Sequence, residues 1–251
     1  MPKPKTILSA EHITKSFSVR GKQVPVLADV NLSVIEGEFL CILGRSGEGK
    51  STLLRILAGF EKQDSGIVII DNVEKKNANL EVVMVFQDFN QIFPWKTVKG
   101  NVVHTLLATR RATTRAEASE RADQIIQDVA LGGYEDYYPH QLSGGMSQRA
   151  AVARALVLEP RILLMDEPFA ALDTQTRKAL QLLTKRICAE KKLTTIFVTH
   201  NIDEAAELAD RVIILSKQLQ QTQLRIVKGE KSIVGKESLI RALSAIIHER
   251  E

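Results

Sequence analysis

The chain has 251 residues, of which 44% are hydrophobic and 25% charged, and its formal net charge is +4. This is ordinary globular composition, which excludes a disordered chain, and the length suits one large domain or two small ones. The longest apolar runs, Phe39–Leu43 and Val82–Phe86, are far shorter than the roughly 20 residues of a membrane span, and the N-terminus lacks the apolar stretch of a signal peptide.

Neither the cysteines nor the basic residues indicate a metal site or a nucleic-acid surface. Cys41 and Cys188 lie in apolar segments without CxxC spacing, which is typical of reduced core residues and predicts a cytoplasmic protein. The densest basic cluster is diluted by acidic residues and contains no aromatic residue that could stack on a base. This cluster, Arg110, Arg111, Arg115 and Arg121, therefore favours a solvated helix face over nucleic-acid binding.

Short β-rich runs alternate with longer helical patterns, which predicts an α/β fold with a mostly parallel sheet. In chain order, the main predicted strands are 39–43, 162–165, 195–199 and 212–215, and the last of them is expected to close the core. A helix is expected after the first strand and another after His200, capped by Asn201 or Asp203. From about residue 97 to 158 the pattern is mainly helical, which indicates a helical subdomain inserted in the α/β core.

The chain after Ser216 becomes rich in Gln and Lys. It closes on an apolar stripe with helical spacing, formed by Leu239, Ile240, Leu243, Ile246 and Ile247. Residues 216–251 are therefore predicted to form a C-terminal extension with an amphipathic helix. Regulation, dimerisation and packing are all compatible with this stripe, and packing is favoured because a short apolar stripe is usually core.

Residues 44–52, GRSGEGKST, follow the pattern G-x-x-x-x-G-K-[ST], with a predicted strand before them and a predicted helix after them. The glycines let such a loop wrap tightly, so that backbone N–H groups and the helix N-terminus face an anion. Lys50 is expected to reach the β- and γ-phosphates of a nucleotide, and the Ser51 hydroxyl to bind Mg²⁺. Because the carboxylate of Glu48 would repel phosphate, we expect its side chain to point outward to solvent.

Acidic residues follow the buried run 162–165. There Asp166 suits the binding of Mg²⁺, and Glu167 suits the activation of water. Because ligands bind at the carboxyl ends of parallel strands, we expect Gly44, Asp166 and His200 to lie at one edge of the sheet.

Three further polar residues gain meaning only as parts of a set. His200 and Gln87 are ambiguous when each is taken alone. A single His after a strand is more often a satisfied core or surface imidazole, and a polar residue that ends an apolar run usually begins a turn. Ser143 precedes two glycines and an alanine-rich helix. It could simply cap that helix, or the start of the helix could be a second anion-binding site.

The ordered set GRSGEGKST, Gln87, LSGGMSQR from 142, ILLMDEP from 162, ALD at 171–173 and His200 resembles the ATP-binding subunits of ABC transporters. The resemblance extends from about Leu8 to Leu215. The segments FPWKTV and VTHNIDEAAELADRVIIL look most like the importers of nitrate, aliphatic sulfonates and taurine. The resemblance implies a P-loop NTPase fold of the ABC type. Its ATPase domain would cover residues 1–215, with the helical subdomain at about 97–158 and a short extension at 216–251.

The resemblance also implies roles for individual residues. Phe17 aligns with the aromatic residue that stacks on adenine, Glu167 with the general base, and His200 with the residue that contacts the γ-phosphate. Mg²⁺ would be bound by Ser51, Gln87 and Asp166. The ATP phosphates would lie in the loop formed by Gly44, Arg45, Ser46, Gly47, Glu48, Gly49, Lys50, Ser51 and Thr52.

A second set of residues is implied to act across a dimer. The signature residues would contact the ATP of the opposite copy: Ser143, Gly144, Gly145 and Met146. Met146 stands where Gln is commonest in the family, and Met also occurs in this importer branch. Asp173 would lie at the dimer seam. The active form is then a head-to-tail dimer closed over two ATP molecules, formed by two copies or by this chain and a similar ATPase subunit.

The expected function is Mg²⁺-dependent ATP hydrolysis that drives the import of a small solute. The implied partners are an integral membrane permease and, indirectly, a solute-binding protein, and no nucleic acid is expected. The implied location is the cytoplasmic face of the inner membrane, as a peripheral subunit. The stretch from Gln87 to Trp95 would dock the permease through its apolar residues Ile92, Phe93 and Trp95. Without the resemblance, these three residues could equally belong to the core.

Two other functions use the same motifs. A soluble ABC-type ATPase acting on nucleic acid or protein assemblies usually carries paired ATPase units or long coiled coils, and this sequence shows neither. A nucleotide sensor without catalysis is disfavoured because Lys50, Asp166, Glu167 and His200 are all present. The importer subunit is therefore the leading prediction.

Overall fold

The computed structural model describes residues 5–87, 91–218 and 221–228, with side chains as far as residue 216. The chain divides into two compact units, one formed by Met1–Asn79 with Lys192–Glu251 and the other by Leu80–Lys191. We call them unit 1 and unit 2. Helices and parallel strands occur in both, so the fold is α/β. Within the described ranges, every helix is too short or too polar to cross a bilayer.

Unit 1 is built from two separate parts of the chain, and unit 2 lies between them in sequence. Unit 1 begins with β1 (Thr6–Val19), β2 (Lys22–Ile35), β3 (Phe39–Leu43), α1 (Lys50–Ala58), β4 (Ser65–Ile70) and β5 (Val73–Glu74). Unit 2 contains β6 (Val82–Val85), α2 (Val98–Ala108), α3 (Arg115–Asp128), a 3-10 turn (Pro139–Gln141), α4 (Gly144–Leu156), β7 (Ile162–Asp166) and α5 (Thr174–Glu190). Unit 1 closes with β8 (Thr194–Thr199), α6 (Ile202–Leu208), β9 (Arg211–Gln218) and β10 (Gln221–Lys228).

The parallel strands of unit 1 carry the predicted phosphate loop. The strand order of this sheet within unit 1 is β10-β9-β3-β8, in which β3 runs parallel to both β8 and β9, and β10 runs antiparallel to β9. All five residues of β3 are buried, which explains its uninterrupted apolar sequence FLCIL. Leu43 pairs with Thr199 and with Ile214, so β3 and β8 end level with each other, whereas β9 continues beyond them to Gln218.

The end of this sheet differs from the prediction. The strand expected at 212–215 runs from Arg211 to Gln218, and β10 then pairs with it in an antiparallel hairpin. Polar residues such as Gln221 and Gln223 hide this strand in the sequence, because an edge strand does not need continuous apolarity. The predicted amphipathic helix lies outside the described residues, and the division at residues 215 and 216 stays a prediction.

A second, antiparallel sheet in unit 1 has the order β2-β1-β4-β5 and is absent from the sequence prediction. Arg20 and Gly21 form the turn between β1 and β2, with φ angles of 51° and 76°. Positive φ at both central residues is the geometry of a type I′ turn, whose twist matches that of the flanking strands. The segment VRGKQVPV, residues 19–26, therefore forms the end of a hairpin rather than a loop.

Unit 2 holds the strand pair β6 and β7 and the helical stretch that the sequence predicted. The strands are parallel, with Val85 level with Met165. Side-chain oxygens of Thr97, Thr114 and Ser143 cap helices α2, α3 and α4. The first N–H groups of α2, on Val98 and Lys99, donate to the carbonyls of Tyr137 and Glu135. These bonds hold the loop before the signature residues against the start of α2.

Candidate nucleotide-binding site

The phosphate loop lies between β3 and α1, as predicted, and its shape requires glycine at three positions. Gly47 and Gly49 have φ angles of 83° and 94°, which side chains rarely tolerate. A Cβ on Gly49 would lie 2.9 Å from Leu27 Cδ2, and a Cβ on Gly44 would lie 2.6 Å from the carbonyl oxygen of Leu215. The loop is therefore tightly wrapped between β2 and β9.

Two features of the loop fit an anion. The cap residue of α1, Gly49, has no side chain to accept the first N–H groups, and the first turn of the helix contains no acidic residue. Lys50 is 4% exposed, and its Nζ donates to the carbonyl oxygens of Gly44 and Arg45 at 2.9 Å each. The ammonium thus lies inside the curve of the loop, where the phosphates of a nucleotide would bind.

Glu48 does not point outward, and that prediction is wrong. Its Oε2 accepts a hydrogen bond of 2.6 Å from the backbone N–H of Arg45, and the side chain is half-buried. The loop bends so sharply that a residue three positions along the chain can reach back to this donor. This charge-assisted hydrogen bond offsets the free energy that the carboxylate loses when it is partly removed from water.

The structure brings His200 and the phosphate loop to one edge of the unit 1 sheet. Leu43 and Thr199 are level in adjacent parallel strands, and Gly44 and His200 are the residues that follow them. His200 is exposed. Of the two predicted caps for the next helix, Asn201 is the one used, and its Oδ1 accepts from the N–H groups of Asp203 and Glu204.

Phe17 lies near the tip of the β1–β2 hairpin, where it pairs with Val24, and it is 37% exposed. The ammonium of Lys15 lies 4.9 Å from the centroid of its ring. Lys15 is not among the residues predicted from the sequence. Its position two residues before Phe17 places both on one face of the strand, but nothing in the sequence shows that this lysine is buried.

In unit 2, Gln87, Asp166 and Glu167 come to the same end of the β6–β7 pair. Asp166 ends β7 and is 5% exposed, whereas Gln87, two residues after β6, is exposed. Glu167 is half-buried and has a φ of 44°, in the left-handed region that few side chains adopt. Residues with such backbone angles occur in turns and also cluster at functional sites.

The signature residues open helix α4. Ser143 is exposed, and its Oγ accepts the N–H of Met146 at 3.3 Å. Gly144 is exposed and Gly145 is buried. A Cβ on Gly145 would overlap the methyl group of Thr176, so glycine is needed for α4 to pack against the start of α5.

Asp173 caps α5, and this role was not foreseen from the sequence. Its Oδ1 accepts from the N–H groups of Gln175 at 3.1 Å and Thr176 at 3.0 Å. Hydrogen bonds from the Thr176 side chain, then from the backbone N–H groups of Thr176 and Gln175, lower the pKa of the Asp173 carboxyl below its ordinary value.

The predicted docking residues have different environments. Ile92 is 4% exposed and belongs to the core, whereas Trp95 is 69% exposed. Phe93 is half-buried, with its ring 5.4 Å from that of Trp95 and 4.7 Å from the guanidinium of Arg154. Of these three residues, Trp95 is therefore the one that presents a large apolar surface to solvent.

Cys41 and Cys188 are both buried, as expected of core residues. Within the described ranges, no cluster of three or more His, Cys, Asp or Glu side chains could bind a metal ion. The hydroxyl of Ser51, the amide of Gln87 and the carboxylate of Asp166 offer oxygen ligands, the kind that Mg²⁺ prefers.

The sequence profile described as "ABC transporter" matches residues 27–170. The chain is 46% identical over 202 residues to the aliphatic sulfonates import ATP-binding protein SsuB of Bacillus licheniformis, covering 80% of this chain and 77% of that one. It is 40% identical over 210 residues to the nitrate import ATP-binding protein NrtC of Synechococcus elongatus, covering 83% of this chain and 32% of that one.

Solved structures agree with the sequence comparison. The dimeric, post-hydrolysis structure of an ATP-binding cassette bound to ADP and Pi has a TM-score of 0.78 and 33% sequence identity to this chain. The match covers 88% of this chain and 98% of the cassette. The loop, the strand-end acids and these similarities together show that the chain belongs to the ABC transporter family, as an ATP-binding cassette of the P-loop NTPase fold.

Proposed function

We propose that this chain is the ATP-hydrolysing subunit of an ABC importer, which couples ATP-driven dimerisation to uptake of a small solute through a separate permease. The phosphate loop carries the proposal, because Lys50 lies inside a glycine-shaped loop at the start of an uncapped helix. The relatives named for the import of aliphatic sulfonates and of nitrate support a small oxyanion as the solute, and a taurine-like molecule would belong to the sulfonate class. Selectivity among these would lie in the permease and its solute-binding protein.

ATP would bind along unit 1. The adenine would stack on the exposed part of Phe17, and the loop N–H groups would bind the β- and γ-phosphates. Lys50 would exchange its two carbonyl acceptors for phosphate oxygens, and His200, at the same sheet edge, would contact the γ-phosphate. Ser51, Gln87 and Asp166 would hold Mg²⁺, which neutralises charge on the phosphates.

Hydrolysis would depend on Glu167. A carboxylate at this place can accept a proton from the water that attacks the γ-phosphate, and the left-handed φ of Glu167 sets its direction. Each chain carries one phosphate loop and one signature helix, so a second copy or a similar subunit would supply Ser143 and its neighbours to the same ATP. Asp173 would lie at the seam of that dimer, and the protein would work as a peripheral subunit at the cytoplasmic face of the membrane.

Docking of the permease is proposed at Trp95, next to an open cleft in unit 2. Lys96, His104, Leu107 and Arg115 are among the residues that line this cleft. An exposed tryptophan beside a concave surface is a common anchor in protein interfaces. ATP-driven closure of the dimer would pass through this surface to the permease.

Steady-state hydrolysis of Mg-ATP by Glu167→Gln tests the proposal. The variant should bind ATP as the unmodified protein does but hydrolyse it at least about 100-fold more slowly, because the general base is gone. Glu120→Gln removes an exposed acid from α3 and should change neither quantity. Rapid turnover by Glu167→Gln would remove Glu167 from the role of base, and a wild-type protein that binds no ATP would overturn the proposed function.

A further inference from the structure

A buried cation lies over the aromatic ring proposed to receive adenine. Lys15 Nζ is 4.9 Å from the centroid of Phe17, within the range of a cation–π interaction. The Lys15 side chain is only 11% exposed, whereas Phe17 remains 37% exposed. The ring therefore has an ammonium on one side and keeps accessible surface for a ligand.

Lys15 is held by the segment that follows helix α1. Its Nζ forms an ion pair of 2.6 Å with Glu61 Oε1 and donates to the carbonyl oxygen of Lys62 at 2.7 Å. Asp64 adds a longer ion pair of 3.8 Å to Lys15 and accepts the backbone N–H of Ser16 at 2.7 Å. These contacts attach strand β1, which carries Phe17, to the segment at the C-terminal end of α1. The phosphate loop lies at the other end of the same helix.

The same strand is also tied to the near end of that helix. Lys15 pairs with Leu27 across the β1–β2 hairpin. The Cδ2 atom of Leu27 lies 2.9 Å from where a Cβ on Gly49 would be, so β2 packs directly on the phosphate loop. Lys15 thus links Phe17 to both ends of α1: to the segment after the helix through its own ion pair, and to the phosphate loop through its strand partner Leu27.

We propose that Lys15 is a positioning residue for adenine, and this inference rests on the proposed function because it takes Phe17 as the platform for the base. The ammonium fixes the ring at a set place relative to the phosphate loop. The ammonium also draws the π-electron density of the Phe17 ring toward the ring face that it contacts. The opposite face becomes poorer in electrons, which favours stacking of an electron-rich purine there. Lys15 contacts neither the base nor the phosphates, so it should affect the adenosine part of ATP and leave the triphosphate part alone.

Calorimetric titration with ATP and with inorganic tripolyphosphate separates these two parts. Lys15→Met should weaken ATP binding about tenfold, the size of a partly buried cation–π contact, and change tripolyphosphate binding less than about twofold. Lys15→Arg should restore ATP binding because it keeps a cation over the ring. Lys15→Met should have no further effect once Phe17→Ala is present. Lys5→Met is the matched control, since it removes a lysine paired with Asp71 in the same unit.

Equal losses for ATP and tripolyphosphate, or an unchanged ATP affinity in Lys15→Met, would overturn the inference while leaving the ATPase proposal intact. A wild-type protein that binds tripolyphosphate but not ATP would overturn both. If thermal unfolding shows that Lys15→Met does not fold, Glu61→Ala tests the same link, because it removes the 2.6 Å anchor and leaves the ammonium. It too should weaken ATP binding and spare tripolyphosphate, and equal losses would again count against the inference.

Discussion

The carboxylate of Glu48 accepts the backbone N–H of Arg45 inside the phosphate loop. A bound phosphate would need that donor and would be repelled by the charge, so the side chain must move before ATP can bind. We predict that Glu48→Ser tightens ATP binding by about tenfold, or about 1.4 kcal/mol.

Titration with ATP at constant salt checks this prediction. Glu74→Ser, which removes an exposed acid from β5, controls for the general change in charge. Unchanged or weaker ATP binding in Glu48→Ser would mean that the carboxylate stabilises the loop more than it hinders the nucleotide.

At the residue scale, the sequence predicts which residues form the site better than it predicts where their side chains point. Gly44, Gly49 and Lys50 were predictable because their chemistry requires these residue types at this spacing. The direction of Glu48 was not, since it depends on a hydrogen bond that exists only once the loop has folded. The burial of Lys15 depends in the same way on Glu61 and Asp64, far along the chain.

At the scale of elements, the cap of helix α5 makes stability depend on pH. The folded-state pKa of Asp173 is lowered by its hydrogen bonds, so the ionised cap stabilises the protein above the ordinary value of 3.8 and that contribution is lost as pH falls through the lowered value. We predict that Asp173→Ala lowers the melting temperature at neutral pH and that the difference shrinks below about pH 4.

Thermal unfolding across pH 2.5 to 7 measures this effect. Asp173→Asn keeps an oxygen acceptor without a charge, so its cap should not vary with pH. A difference between Asp173→Ala and wild type that stays constant to the lowest pH would contradict the role given to the charged cap.

The contact between α4 and α5 gives a second test at this scale. Gly145→Ala should destabilise the protein by about 1–3 kcal/mol, because the new Cβ overlaps the Thr176 methyl group. Thr176→Ser removes that methyl, so it should be nearly neutral alone and should recover most of the loss in Gly145→Ala. Chemical denaturation of the wild type, the two single variants and the double variant gives the coupling free energy between the two positions. Strictly additive effects would mean that the destabilisation by Gly145→Ala does not come from the Thr176 methyl group.

Some elements were predictable and others were not. The strands β3, β7 and β8 are buried throughout, and their apolar runs identify them. The antiparallel sheet of unit 1 is harder to read, because bulges interrupt the alternation along β1 and shift its register against β2. The hairpin of β9 and β10 is rich in Gln and Lys, a composition that resembles a polar tail.

At the scale of the whole molecule, the candidate residues are divided between the two units. Unit 1 holds the phosphate loop, Phe17 and His200, and unit 2 holds Gln87, the strand-end acids and the signature helix. If each ATP contacts the loop of one chain and the signature of another, as proposed, a complete site needs a second subunit. Shifting such a pair from mostly open to mostly closed takes about 5.5 kcal/mol of differential binding, which two ATP molecules would share.

The mass of Glu167→Gln in solution, measured by light scattering with and without ATP, tests this account most directly. Without ATP we predict the monomer mass of 27.9 kDa, and with ATP twice that mass, because two unhydrolysed nucleotides hold the dimer closed. Lys50→Ala added to the same variant should keep it monomeric under both conditions. A protein that binds ATP and still has the monomer mass would contradict a site completed by a second copy.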